Sequence, residues 1–157
     1  MKKIVSIILF SLFIALPFFS QNLEKNEVKS DAVKELILKD YDIFQYDDGD
    51  IKVSYDGVNI LIMVDEDRSI LKFKTYWLAS DSISQQRALK LVNQWNIDKI
   101  FTTAIFDTDE KGSYFTLEYF LTTAGGINSQ NLNDTLDWIF SIADGFCKYL
   151  DEEDAIK

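Results

Sequence analysis

The chain has 157 residues, of which 16 are basic and 26 acidic, giving a formal charge of −10, and it contains no histidine and a single cysteine, Cys147. The absence of histidine excludes histidine-based triads and histidine-rich zinc sites, and one cysteine excludes CxxC redox chemistry and cysteine-cluster zinc sites. Because an acidic surface repels phosphate backbones and anionic headgroups, we expect no nucleic-acid partner and no peripheral membrane binding.

Residues 1–20 have the pattern of a signal peptide. Lys2 and Lys3 precede an apolar run over residues 4–19, which is shorter than the roughly 20 residues that a membrane-spanning helix needs. We predict cleavage after Ser20, export to the periplasm or cell exterior, and no stable membrane insertion afterwards; a retained anchor is the alternative. Removal of two lysines and no acids would leave 14 basic and 26 acidic side chains, a formal charge of −12.

Composition divides the remaining chain into three parts. Residues 21–30 are a polar leader without hydrophobic periodicity, which we expect to be loosely held, and residues 151–157 form an acidic tail. Residues 31–150 contain all the periodic segments, with no internal repeat, low-complexity stretch or linker. We therefore predict a single domain there, large enough to fold without disulfides.

The first periodic segment is helical and the next ones alternate. Helical spacing predicts a first helix over residues 31–41, with Ser30 as its N-cap. Residues 51–55 and 58–64 then alternate apolar and polar on either side of Asp56-Gly57. That dipeptide predicts a hairpin with a type I′ turn, because glycine adopts positive φ without steric cost.

Another strand and a second helix follow the hairpin. Alternation predicts a third antiparallel strand over residues 70–78, and residues 44–46 are expected to add a short edge segment before the hairpin. Ser82 and Gln85 match a capping box, which predicts the start of a second helix. We expect that helix to end at Trp95 or the next residue.

A strand pair and a long helix complete the domain. Residues 100–106 and 114–121 are predicted as paired strands around a polar turn at residues 107–112. After Gly125-Gly126, apolar residues at helical spacing predict a third helix of about six turns. The predicted order is α-β-β-β-α-β-β-α, an α+β fold in which helices cover one face of an antiparallel sheet.

The single cysteine falls on the apolar face of the last predicted helix. Cys147 shares that face with Ile139, Ala143 and Leu150, which favours a buried small hydrophobe. In an oxidising compartment an unpaired thiol can also bond to another molecule, so an intermolecular disulfide is the alternative.

One stretch resembles a calcium-binding EF-hand loop. Its first, third, sixth and twelfth positions carry the expected residue types, in Asp107, Asp109, Gly112 and Glu118. Lys111 at the fifth position would place a cation beside the metal, and the flanking residues alternate like strands instead of forming helices. We therefore interpret the stretch as an acidic hairpin turn, interpret residues 47–50 in the same way, and predict no metal.

Other catalytic patterns are equally weak. Ser69 and Lys72 match the S-x-x-K pair of penicillin-binding proteins, but that chemistry needs a helix N-terminus, and residues three apart on a strand point to opposite faces. With 26 acidic side chains, carboxylate pairs at glycosidase spacing arise easily and carry little information. We predict no catalytic residues and no cofactor.

The middle and end of the domain resemble a known family. The segments that carry the resemblance are residues 91–96 (Leu-Val-Asn-Gln-Trp-Asn), the strand pair through Phe101 and Tyr119, Gly125-Gly126-Ile127, and the final helix. They are similar to the YbjN domain family, which shares the type III secretion chaperone-like fold. The resemblance implies a sheet-and-helix surface that binds protein segments, often in dimers, and it supplies no catalytic residues.

Export and acidic charge set this chain apart from type III chaperones, which act in the cytoplasm. Asn93 and Asn96 are expected to cap the second helix and order the turn after it, with a direct ligand contact as the alternative.

These observations favour a non-enzymatic exported binding or regulatory module, which engages a protein partner or another copy of itself through its sheet or helix surface. A small carboxylate-based hydrolase or glycan-binding domain of the cell envelope is the alternative, using acids together with Trp77, Trp95 or Trp138. An envelope protein that binds small ligands between helices and sheet also stays open. An exposed apolar patch favours the first hypothesis, and a cleft with convergent acids and an exposed tryptophan favours the second.

Overall fold

The computed structural model describes residues 21–37, 41–46 and 48–157, so the predicted signal peptide lies outside the described residues. Within these ranges the chain forms eight strands, three α-helices and one short 3₁₀ turn, Lys25–Glu27. The strands and α-helices in chain order are β1 (Asn22–Leu23), α1 (Ser30–Leu36), β2 (Asp42–Gln45), β3 (Ile51–Tyr55), β4 (Val58–Asp65), β5 (Ile70–Leu78), α2 (Gln85–Asp98), β6 (Thr103–Asp109), β7 (Gly112–Thr122), β8 (Ile127–Asn128) and α3 (Ser129–Glu152).

Six of the strands form one antiparallel sheet in the order β2-β3-β4-β5-β7-β6, and β1 pairs with β8 separately. Strands β2 to β5 follow one another as hairpins, whereas β7 pairs with both β5 and β6, so the chain passes through α2 and β6 before it returns to the sheet centre. The predicted α+β fold with an antiparallel sheet is confirmed. The expected edge segment exists as β2, and β1 and β8 are additions that sequence analysis missed.

The hairpin between β3 and β4 has the predicted turn. Asp56 and Gly57 both adopt positive φ, at 46° and 82°, which is the requirement of a type I′ turn. Tyr55 pairs with Val58 directly beside the turn, so the two alternating runs are in the register that their pattern predicts.

All three helices pack against the same face of the sheet. One core cluster joins α1 and the first half of α3 to β3, β4 and β5, and a second joins α2 and the rest of α3 to the β5-β7-β6 end. The largest fully buried side chains include Phe73, Phe115, Phe146, Leu36, Ile60, Ile62, Leu132, Leu136 and Leu150. Burial of this apolar area against one sheet face supplies most of the folding free energy.

The first helix is shorter than predicted. It ends at Leu36, and Ile37 is already extended; residues 38–40 lie outside the described residues. Tyr41 is not helical, and its ring stacks on Phe140 of α3 at 5.3 Å. This tertiary contact outweighs the local helical pattern. Ser30 is the first helical residue and not the N-cap, a position that Lys29 holds without a side-chain hydrogen bond.

The second helix starts two residues later than predicted. Ser84 is its N-cap, with the hydroxyl oxygen accepting the Arg87 N–H at 3.3 Å, while the Ser82 hydroxyl bonds to that of Ser80 at 2.8 Å. The capping box at Ser82 and Gln85 was therefore wrong, because two serines two residues apart give equivalent local signals. The helix also continues to Asp98, beyond its predicted end.

The last strand pair is shifted toward its turn. Strand β6 begins at Thr103 and not at residue 100, and both strands extend into the predicted polar turn, so only Glu110 and Lys111 separate them. Ile100 and Phe101 are instead exposed residues of the connection from α2, at 83% and 65%.

Both ends of the described chain are held in place. The leader was expected to be loose, but β1 pairs with β8, and the Ser129 N–H donates to the Gln21 carbonyl at 2.9 Å. A side chain at Gly126 would come within 2.3 Å of the Leu23 carbonyl oxygen, so this close approach requires glycine. In the acidic tail, Ala155 is fully buried and Ile156 bridges to Ala79.

Asn96 closes part of an exposed sheet edge. Its side-chain amide donates to the Ala104 carbonyl at 2.9 Å, and its oxygen accepts the Ala104 N–H at 2.7 Å. Ala104 lies on β6, which is the last strand of the sheet, so Asn96 replaces the backbone of a missing neighbour. Unpaired edge groups are templates for pairing with other chains, and Asn96 removes two of them.

The hydrogen bonds of Asn96 thus order the turn as predicted, but the predicted capping by Asn93 and Asn96 is wrong, because the C-cap is Lys99. Asn93 is exposed on the same helix. No helix in the described part of the chain is long and apolar enough to cross a membrane.

Replacement of Asn96 by alanine should destabilise the domain by about 1–2 kcal/mol, because it leaves the Ala104 N–H and carbonyl without partners. Asn93→Ala, at an exposed position of the same helix, should stay within about 0.5 kcal/mol of wild type. Urea unfolding followed by tryptophan fluorescence measures both values. Equal stabilities for the two variants would contradict the assigned role of Asn96.

Cys147 lies on the flank of α3 and is half-buried, whereas Phe146 takes the fully buried position, so the expectation of a buried cysteine was too strong. Burial raises the pKa of the Cys147 thiol, an effect opposed by a hydrogen bond from Trp77 and reinforced by Asp151 and Asp144. The reactive thiolate therefore forms at higher pH than in a free cysteine.

We expect the alkylation rate of Cys147 by iodoacetamide to reach half its maximum above the pH of about 8.5 that is typical of a free thiol. Mass spectrometry of the intact protein across a pH series gives the rate, with an unstructured cysteine peptide as reference. A midpoint below that of the peptide would show that the thiol is activated and not suppressed.

Candidate functional site

The face of the sheet opposite the helices, which we call the outer face, is open to solvent among the described residues. Strand alternation determines which residues lie on this face, because the neighbours of each buried residue along a strand point to the other side of the sheet. On β5, Leu71, Phe73 and Thr75 point toward the helices, so Lys72 and Lys74 lie on the outer face. The candidate site is built from this surface.

One row of side chains crosses all six strands of the outer face. The register aligns six residues from edge to edge, in the order Phe44, Lys52, Leu61, Lys74, Glu118 and Thr103. Adjacent strands are about 4.8 Å apart, so neighbouring members of this row are in side-chain contact range. Apolar and basic side chains therefore alternate across the first four strands.

A second, shorter row runs beside the first. Met63, Lys72 and Phe120 pair across β4, β5 and β7. The Lys72 ammonium lies 5.4 Å from the centre of the Phe120 ring, within the range of a cation–π contact. Both rows thus combine lysine with large apolar side chains.

Glu118 is shared between two lysines. Its carboxylate oxygen Oε1 lies 2.7 Å from Lys72 Nζ and 4.0 Å from Lys74 Nζ, and its side chain is 11% exposed. Among the described residues, Lys52 has no carboxylate within ion-pair distance. Two of the three lysines on this part of the surface therefore share one carboxylate, and Lys52 has none in the described part of the chain.

Large apolar side chains surround the lysines and are unusually exposed. Tyr76 is 63% exposed, Phe44 54%, Leu78 52% and Phe120 49%. Several large apolar side chains are therefore exposed on one face, and exposed apolar surface bordered by polar groups is typical of interaction sites in soluble proteins.

The outer face contains two shallow grooves. The first, of about 660 Å³, is lined mainly by residues of β3, β4 and β5, among them Lys52, Leu61, Lys74, Tyr76 and Leu78. Asp48 and Asp50 also line it, and burial together with the Asp48 charge raises the pKa of Asp50.

The second groove, of about 780 Å³, lies beside Met63, Lys72 and Phe120 and the acidic turn after β4. Both grooves are open depressions and not enclosed clefts, which suits an extended surface ligand better than a small substrate.

The EF-hand resemblance does not produce a metal site. Glu118 lies six residues from Gly112 along β7, a distance of about 20 Å, so its carboxylate is far from the turn and is engaged by lysines. Within the ranges that the structure describes, no three acidic or cysteine side chains converge as metal ligands. Asp47 lies outside the described residues, which leaves Asp48–Asp50 as a turn in which the Asp50 N–H donates to the Asp48 side chain.

The S-x-x-K residues are not brought together. Ser69 occupies the tight turn before β5, with φ of 54°, and its carbonyl accepts the Thr123 N–H. Lys72 faces Glu118 on the outer face, and no hydrogen bond joins it to Ser69.

The tryptophans serve as packing residues, as predicted for Trp95 and Trp138. Trp95 is 7% exposed and packs on Phe146, while Trp138 is half-buried against Tyr119. Trp77 is half-buried beside Phe146. None of them presents a free ring to solvent as a sugar platform would require.

Comparisons with known proteins agree with this architecture. A family model described as "YbjN: Putative bacterial sensory transduction regulator" matches residues 31–152. Among solved structures, one similar chain is that of the "Crystal structure of YbjN, a putative transcription regulator from E. coli", with a TM-score of 0.57 and 11% identity, covering 74% of this chain and 86% of that chain. At this identity the likeness shows the fold alone. A search among curated proteins finds no match to the sequence.

The family match includes the segments around Trp95-Asn96 and Gly125-Gly126, so the resemblance read from the sequence is confirmed. The family is described as a regulator and not as a family of enzymes. On the extent of the match, and with a fold shared with the E. coli protein, this chain belongs to the YbjN family.

Proposed function

We propose that this chain is a non-enzymatic binding module, exported to the periplasm or cell exterior, which holds a segment of a protein partner on its outer face. The observation that carries the proposal is the exposed apolar surface around Tyr76, Leu78 and Phe120, on a sheet whose other face is filled by helices. Burying such a surface against a partner is favourable by roughly 25 cal/mol per Å² of apolar area before the costs of association.

The alternative of a hydrolase or glycan-binding domain has less support. The grooves are open depressions, and no tryptophan is strongly exposed. DNA binding is equally disfavoured, because a formal charge of −10 opposes contact with phosphates. A regulatory role is therefore best explained by protein binding.

The edge of β6 offers a poorer interface than the outer face. Asn96 occupies both edge groups of Ala104, and the Thr108 N–H already donates to the Asp107 carboxylate at 2.8 Å, so it does not donate to an added strand. By strand alternation, Phe106 is the residue between them whose backbone groups also point out of this edge. Strand addition at this edge would first have to break these contacts.

The buried hydroxyl of Thr116, on a strand of the outer face, has no partner within the described part of the domain. Thr116 is 2% exposed and lies between Tyr76 and Ile105 in the strand register, yet its Oγ1 has no hydrogen-bond partner among the described residues. An unsatisfied buried hydroxyl costs about 1–3 kcal/mol, so the domain tolerates a polar group here that its own packing does not use.

Affinity capture tests the proposed surface. Residues 21–157 would be incubated with envelope extract under mild cross-linking, and captured proteins quantified by mass spectrometry. Wild type should retain a specific protein that Tyr76→Ser and Phe120→Ser lose by at least about tenfold. Leu89→Ser, which alters an apolar side chain exposed on α2 at 42%, should retain it.

Loss of the partner with Leu89→Ser and retention with the outer-face variants would place the interface on the helices and refute the proposed surface. If only the domain itself were captured, self-association would replace a different protein partner as the proposed interaction. A Cys147→Ser control shows whether the thiol takes part in the contact.

Thr116→Val should stabilise the free domain by about 1 kcal/mol, because valine has nearly the same shape and removes the unpaired hydroxyl. Thr103→Val, at an exposed position of the neighbouring strand β6, should change stability by less than about 0.5 kcal/mol. The midpoints of urea unfolding give both values. A loss of stability with Thr116→Val would show that the hydroxyl has a partner in solution.

A further inference from the structure

We infer that the outer face recognises an acidic amphipathic peptide segment, whose carboxylates contact Lys52, Lys72 and Lys74 and whose apolar side chains pack between them. This inference rests on the proposed function, since it names the chemistry of the partner segment. It follows from the charge, spacing and surroundings of the three lysines.

The centre of the outer face carries three lysines and one glutamate, although the whole chain is acidic. The chain carries ten more acidic than basic side chains, yet Lys52 on β3 and Lys72 and Lys74 on β5 share one face. Acidic residues also line the two grooves, among them Asp50 and Asp65. Lys52 and Lys74 are separated by the strand that carries Leu61, which sets their backbones about 9.6 Å apart. Lys72 and Lys74 are two residues apart on β5, about 7 Å.

The domain itself neutralises only part of this charge. Glu118 contacts Lys72 and Lys74, and Lys52 has no carboxylate partner among the described residues. The side chains of Lys72 and Lys74 are 29% and 30% exposed, so neighbouring protein atoms exclude much of the water around them. An incoming carboxylate therefore meets a positive charge that is less screened than at an ordinary exposed lysine.

The apolar residues of the outer face require that the ligand also present apolar side chains. Phe44 and Leu61 alternate with Lys52 and Lys74 along the row that crosses the strands. A segment that lies along this row meets apolar and basic contacts in turn, so the contacting face of a matching ligand presents both apolar and acidic side chains. A purely acidic ligand would leave the apolar part of the surface uncovered.

A compact anion fits the site less well. Phosphate-like ligands are held by several donors that converge in a confined place, whereas these lysines spread over an open groove. Glu118 lies between Lys72 and Lys74 and would repel a small dianion placed between them.

A second copy of the chain is also a poor occupant. Contact between two outer faces would bring like-charged lysines together. Contact between the outer face and an acidic surface elsewhere on another copy would be head-to-tail, and such contacts give open filaments unless the rotation closes. The charge pattern therefore favours a different, acidic chain.

Selection of phage-displayed random 12-residue peptides on residues 21–157 tests the inference. Selection on wild type should enrich peptides that combine Asp or Glu with Phe, Leu or Trp, with acidic residues at least about twofold above the starting library. Lys52→Glu/Lys74→Glu should abolish this enrichment. Lys148→Glu, which alters a 70% exposed lysine on α3, should leave it unchanged.

Synthetic copies of the enriched peptides provide the quantitative readout. Fluorescence polarisation should show binding weakened by at least about tenfold in Lys52→Gln/Lys74→Gln, and progressively weakened by added NaCl. The glutamine variant removes charge without reversing it, so it keeps the test valid if the glutamate variant folds poorly. Circular dichroism checks the fold of each variant.

The outcomes separate this inference from the proposed function. Peptides without an acidic bias that are lost with Tyr76→Ser would overturn the inference and leave the binding surface in place. Acidic peptides that bind equally well to both lysine variants would also overturn it. Peptides unaffected by Tyr76→Ser and by the lysine variants, or no enrichment at all, would count against the outer face as a binding surface.

Discussion

The packing of three helices against one face of a single six-stranded sheet is the constraint on which the rest of the structure depends. It gives the domain one core layer and requires apolar residues at every second strand position. The intervening positions are then left without a structural partner, because no second layer lies above them in the described part of the chain. Their composition is therefore free of the demands of the core, and here it combines lysines with large apolar side chains. The same division of the sheet explains both how the domain is stabilised and where a partner can bind.

Much of the fold could be predicted because its signals are local. Alternation located β3, β4 and β5, and Asp56-Gly57 located the turn between the first two. The errors occur where local signals are equivalent or where distant contacts decide. Ser82 and Ser84 offer nearly the same cap, and Tyr41 leaves the helical pattern because it packs on Phe140, about a hundred residues away in sequence. Pairing of β1 with β8 involves two residues on each side, too few for a periodic pattern.

The candidate site was harder to predict than the fold. Alternation on β5 already implies that Lys72 and Lys74 share a face, but their meeting with Glu118 depends on β7 lying next to β5, with β6 beyond it. Lys52 joins them only because β3 is two strands away in the same register. Strand order is a property of the whole chain that no short motif records. The motifs that suggested chemistry lie where the sheet sets the geometry, since Asp107 is on strand β6 and Ser69 is in the turn before β5.

The anchored tail couples the end of the described chain to the candidate site. The Lys157 N–H donates to the Leu78 carbonyl at 3.1 Å, and both residues line the first groove, so the last turn of backbone forms part of its wall. Local opening of the tail breaks a contact that shapes the groove. Ligand binding in the groove therefore changes the free energy of tail opening, and tail opening changes the free energy of binding. Amide hydrogen exchange at the tail thus acts as a built-in reporter: a ligand that settles in this groove slows exchange there, while one bound to the helical side leaves it unchanged.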